Sequence, residues 1–208
     1  MVITDIQDSR REYRSGRPLD YTGLLAHARF PEDLRTLALA GVLAQGLALG
    51  ERPLLRGMVE EDFAAMMAAC FPGVALENAA QSHRADSLDE YDDLVALLLE
   101  HRADDSDAIR WLAHAIATAS LRNNHLWQDL GLPERKALSR LMIENFPSLA
   151  ALNSADMKWK KFFYRQLCEK AEVLICKSPN CKVCDDHALC FGPEEGDALV
   201  SLSHPVSG

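Results

Sequence analysis

Apolar residues recur along this chain at the three- and four-residue intervals of a helix, beginning near residue 19. Pro31 followed by Glu32 and Asp33 predicts a helix start, with proline at the first position and acids in the first turn. Leu34, Leu37, Ala38 and Val42 then share a face, and Gly50 is placed to cap the end. Glu60–Cys70 repeats the pattern with Phe63, Met66, Met67 and Cys70, and Phe71-Pro72-Gly73 stops it. Ser87 and Glu90 have capping-box spacing and open a run carrying Leu94, Val95, Leu97 and Leu98. Asp104–Asp107 breaks that run. Ile109, Leu112, Ala113 and Ile116 begin the next, which fades at Asn123-Asn124. Pro133 starts a further helix through Leu138, Leu141 and Met142, ended by Pro147, and the last helix covers Asp156–Lys170 or slightly beyond. No convincing alternating strand, tandem repeat or low-complexity block interrupts this. The expected fold is all-α: a helical bundle of about six or seven helices with an irregular, cysteine-rich C-terminal loop. The expected organisation is a polar arm over 1–18, a helical domain over 19–175, the loop over 176–194 and a flexible tail over 195–208.

Composition narrows the function. Of the 208 residues, 48% are hydrophobic, enough for a packed core, and the formal net charge of −9 argues against a general nucleic-acid binder. The N-terminus lacks the apolar stretch of a signal peptide. The longest uncharged run, Thr36–Gly50, is too short and too rich in glycine and alanine to span a bilayer. A cytoplasmic monomer with no membrane partner is expected. In a reducing compartment, clustered cysteines favour metal over disulfides.

Four of the six cysteines fall in one short stretch, Cys176-x4-Cys181-x2-Cys184-x5-Cys190. The central CxxC turn puts two sulfurs on one side of a tight loop, and the outer pair can fold back to join them. An iron–sulfur cluster, a structural zinc and a redox dithiol all fit such thiols. A single CxxC without a long spacer suits a cluster better than a zinc ribbon. The preceding segment, Met157–Lys170, places Trp159, Phe163 and Leu167 on one face, broadened by Phe162, as an ordinary core stripe. Lys158, Lys161 and Arg165 form a neighbouring basic stripe with Lys160 nearby, either a solvated face or an attractor for an oxyanion or an acidic partner. Cys168 is either a small buried hydrophobe or an extra ligand. His101 and His114 have no partner at ligand spacing. No HExxH, phosphate-cradling glycine loop or Ser-His-Asp setting appears, so a turnover enzyme is not expected.

Three motifs in order, HLWQDLGL (His125–Leu132), MKWKKFFYRQLCE (Met157–Glu169) and the four cysteines followed by FG (Cys176–Gly192), resemble the nitrogen-fixation NifQ family over roughly residues 121–194. The resemblance implies an iron–sulfur protein, of 4Fe-4S type and/or molybdenum–iron–sulfur, that carries molybdenum. It implies supply of that molybdenum to the iron–molybdenum cofactor of nitrogenase. It also implies the assembly scaffold NifEN and the reductase component NifH as partners. By motif, Cys176, Cys181, Cys184 and Cys190 become the cluster ligands. A molybdenum corner wants more ligands than one sulfur supplies, which makes His187 inside the loop and His125 upstream further candidates, beside Cys168. The alternatives are a helical interaction or regulatory protein with structural zinc, and a redox-sensing iron–sulfur protein.

Overall fold

The structure is a computed structural model that describes residues 19–78, 88–171, 187–196, 198 and 199. The described residues contain ten helices and no strand. They are α1 (Tyr21–Ala26), α2 (Leu34–Leu49), α3 (Glu60–Cys70), α4 (Leu88–Glu100), α5 (Asp107–Ser120), α6 (Leu126–Asp129), α7 (Arg135–Asn145), α8 (Pro147–Leu152), α9 (Trp159–Lys170) and α10 (His187–Phe191). The all-α expectation holds, with more helices than expected. The additional ones are short: α1, α6, α8 and α10 have six, four, six and five residues. Elements of one or two turns do not repeat an apolar face often enough for the period to show.

Local chemistry corrects three boundaries. Proline and glutamate at 31 and 32 lie in the turn before α2, because Asp33 is the cap: its carboxylate accepts from the amides of Arg35 at 2.9 Å and Thr36 at 3.3 Å. Pro147 does more than end α7. It is the first residue of α8, where its missing N–H costs nothing. The last long helix begins at Trp159 rather than Asp156, because Asn153 holds the preceding turn. Its amide donates to the Met157 carbonyl and its side-chain oxygen accepts from the Met157 N–H, both at 2.9 Å, while Asp156 takes a left-handed φ of 53°. Gly50 caps α2 in the left-handed conformation, as expected. The Ser87 cap and the arm over 1–18 lie outside the described residues.

The core is built on α2 and α5. Both are buried nearly all round through their middles, α2 over Ala38–Ala44 and α5 over Ala115–Ser120, and small residues dominate there, so neighbours approach closely. α5 packs against both α2 and α4. Tyr91 of α4 and His114 of α5 meet with hydroxyl and Nδ1 2.6 Å apart, and the same hydroxyl donates to the Arg56 carbonyl. At one place a glycine is obligatory. A Cβ on Gly41 would sit 2.2 Å from the Leu130 carbonyl oxygen, so α6 rests directly on the α2 backbone. The Gln45 amide donates to the Gln128 carbonyl at 2.7 Å beside it. No helix among the described residues is long and apolar enough to cross a membrane.

Candidate metallocluster site

The first motif folds into α6 and its flanks. Leu126, Trp127, Leu130 and Leu132 are buried, and between them stands Asp129, with no exposed surface. A buried carboxylate needs partners, and three supply them. Lys160 Nζ lies 2.6 Å from Oδ2, the Asn124 side-chain amide donates to Oδ1 at 2.9 Å, and the Asn124 backbone N–H donates to Oδ2 at 3.1 Å. Lys160 also donates to the Arg122 carbonyl at 2.7 Å. Burial pushes its ammonium below the usual range while Asp129 pulls it back up. Arg122, itself nearly buried, pairs with Glu51 at 2.7 Å. The expected basic stripe on α9 is therefore thinner than its sequence. Lys160 turns inward, Arg165 is engaged with Glu169 at 2.7 Å, and the Lys158 ammonium donates to the Ala188 carbonyl at 3.4 Å.

The second motif supplies the core stripe. Trp159, Phe162 and Phe163 are buried with ring centroids 5.8–6.2 Å apart, and Leu167 is partly buried. Just before Trp159, the Lys158 backbone N–H donates to the Cys190 carbonyl at 2.8 Å. That bond brings the end of the cysteine loop to the start of α9. Cys190 and Phe191 pack partly against the core, and the His187 ring stacks on Phe191 at 4.6 Å. Four residues past Cys190, the chain inserts Glu194. Its side chain is only 4% exposed, with Oε1 3.4 Å from His125 Nδ1 and Oε2 3.3 Å from Arg135 Nε. Arg135 reaches the Asp156 carboxylate as well, at 2.9 Å. Gly196 then passes so near Gln128 that a Cβ there would lie 2.8 Å from its amide nitrogen. HLWQDL, MKW and CFG, far apart in the chain, thus meet at one place.

A metallocluster asks for soft thiolates from one loop. Cys190 is the candidate ligand that the structure describes, half-buried at the loop's C-terminal root with His187 three positions before it on α10. Cys176, Cys181 and Cys184 lie outside the described residues. Among the described residues, no three His, Cys, Asp or Glu side chains form a metal cage. Cys168 stands half-buried on α9, ten residues beyond the point where Cys190 docks, which is about 15 Å along a helix axis. The structure brings His125 to the root of the loop through Glu194, and it does not bring Cys168 there. Glu194, Arg135 and the Asp129–Lys160 pair went unnoticed in the sequence. The lone acid of HLWQDLGL, flanked by leucines and a tryptophan, was the available signal for Asp129, whereas nothing local marked Glu194.

The NifQ family model matches residues 38–192, from α2 to the glycine just after α10. The chain belongs to the NifQ family, which is involved in nitrogen fixation. Protein NifQ of Azotobacter vinelandii is 39% identical over 155 residues, covering 68% of this chain and 80% of the relative. Protein NifQ of Rhodobacter capsulatus is 40% identical over 162 residues, covering 76% and 89%. Protein NifQ of Klebsiella pneumoniae is 51% identical over 82 residues, covering 38% and 48%. No solved structure matches. The NifQ match reaches back to Ala38, well before the first quoted motif at His125. The helical core thus belongs to the family as much as the motifs do, although core helices offer no short signature to quote.

Proposed function

We propose that this NifQ-family chain binds a molybdenum–iron–sulfur cluster as cargo through Cys176, Cys181, Cys184 and Cys190. In this reading it supplies molybdenum to assembly of the nitrogenase iron–molybdenum cofactor. The observation that supports this most is the meeting of the three motifs at the root of the four-cysteine loop, in a chain that belongs to the NifQ family. Thiolates hold iron and sulfide. In this reading the cysteine loop opens to hand its cargo over, which a site inside a packed core could not do without unfolding. His187, three positions before Cys190 on α10, can add a nitrogen ligand to a molybdenum corner. On the same reading the helices serve as a platform, and the chain acts as a carrier rather than as a turnover enzyme. NifEN and NifH are the proposed recipients, in the cytoplasm, with the carrier as a monomer.

Anaerobic purification followed by analysis for iron, sulfide, molybdenum and zinc, on wild type and Cys184→Ala, tests this. Iron, sulfide and molybdenum in the wild type, all falling in the variant, is the expected result. Zinc alone at about one per chain, the outcome for a tetrathiolate structural site, in a colourless protein, would overturn it.

A further inference from the structure

Exposed ion pairs decorate this surface, Arg140–Glu144 and Arg165–Glu169 among them, and such pairs hold little. Glu194 is different. Its carboxylate is almost entirely withdrawn from water, a placement that is costly unless cations meet it. The Arg135 guanidinium, Nε at 3.3 Å, is the cation that meets it from the body side, with the His125 Nδ1 edge at 3.4 Å beside it. Arg135 is itself anchored by the Asp156 carboxylate and by the Met157 carbonyl at 3.2 Å, in the turn that leads into α9. The residue therefore plugs into a prebuilt socket made by the flank of α6, the start of α7 and the turn before α9.

Cys190 lies only four residues earlier, within about 14 Å of Glu194 even at full extension. The span between them is pinned at its other end by the Lys158 N–H to Cys190 carbonyl bond and folded by the Gly192 N–H to Ala188 carbonyl bond at 2.9 Å. We propose that Glu194 is a positioning residue. Its carboxylate, plugged between His125 and Arg135, clamps α10 to the body and so fixes the Cys190 thiol at the loop's root. This clamp sets how firmly the fourth ligand is held and how readily cargo leaves. The inference rests on the cargo reading above for its functional sense, while its structural part can be read without any cargo.

The test compares wild type, Glu194→Ala, Arg135→Met and the double variant. In the apoprotein, two readouts apply: amide exchange of residues 187–192, and the rate of Cys190 alkylation resolved by peptide mass spectrometry. In the loaded protein, the readout is the rate at which a ferrous chelator captures iron. The single variants are expected to expose Cys190 and to release iron about tenfold faster, the usual size of effect for a residue that orients a metal ligand. The double variant is expected to go little further than Arg135→Met, since that change already breaks the contact with Glu194 along with those to Asp156 and Met157. Exchange and alkylation unchanged in Glu194→Ala would overturn the clamp. Loss of helical structure throughout Glu194→Ala would overturn it as well, because Glu194 would then be holding the body and not the loop end. A wild type that carries no iron would instead sink the cargo reading, and the apoprotein measurements would still decide the clamp.

Discussion

Replacing Lys160 by methionine removes the cation from a carboxylate that has no contact with water. The Asn124 bonds to Asp129 remain, so the expected loss sits at the low end for a broken buried pair, about 3 kcal/mol. Urea denaturation of Lys160→Met measures it. An unchanged midpoint would show that the pair has water or another partner to fall back on. Adding Asp129→Leu to Lys160→Met is expected to recover part of the loss, because an apolar side chain of similar size leaves no orphaned charge. At this scale the sequence was least transparent. MKWKKFF shows a basic run, and nothing in the run says which lysine turns inward. That choice follows from where the single acid of HLWQDLGL comes to rest, a fact of tertiary structure. The four cysteines were the opposite case, since the expectation of metal came from their spacing alone, without any fold.

The α4–α5 pair carries a pH dependence. Burial, the largest cause, holds the His114 imidazole below its usual pKa of 6.5, so the folded chain keeps it neutral. An unfolded chain takes up that proton first as pH falls. Stability is therefore full above about pH 7 and declines as pH drops below about 6.5 toward the lowered folded value. Burial also raises the phenols of Tyr91 on α4 and Tyr21 on α1, Tyr21 to about 12, so the fold loses stability above about pH 10, where an unfolded tyrosine ionises. Denaturation midpoints between pH 5.5 and 8 are expected to slope in wild type and to flatten in His114→Gln. Parallel curves would assign the slope to other groups. Elements of eleven residues or more were legible: α3 was read to the residue, and α5 with its buried Ile109, Leu112, Ala113 and Ile116 nearly so. Boundaries failed where a side chain outranked the apolar period, at Asp33 for α2 and at Asn153 before α9. The one-turn helices failed because they are held by packing and not by their own repeat.

For the molecule as a whole, the described residues after α9 add little to the core. Nearly all of the large buried side chains come from α1 to α9, and α10 adds only partly buried groups. A chain ending at residue 171 is thus expected to keep a helical far-ultraviolet spectrum and one cooperative transition. Its melting temperature is expected to fall by no more than about 10 °C, a few kcal/mol at this size. Loss of cooperativity in that chain would show the loop end to be part of the core. The all-helical architecture was legible because its long helices share one period; the meeting of the three motifs was not, because it depends on the path between helices. That path has a further consequence. α9 carries the chain about 18 Å away, yet α10 docks back at the start of the same helix. The Lys158 N–H to Cys190 carbonyl bond therefore closes a ring in the covalent chain. The entropy of closing that ring is spent during folding, and lengthening it twofold adds only about 0.6 kcal/mol. Insertions between Ala171 and Cys176, which leave the cysteine spacing intact, should thus be tolerated well. On the cargo reading, a single backbone cut between Cys176 and Cys190 should not, since it keeps every cysteine and would turn one polydentate chelator into two weaker ones.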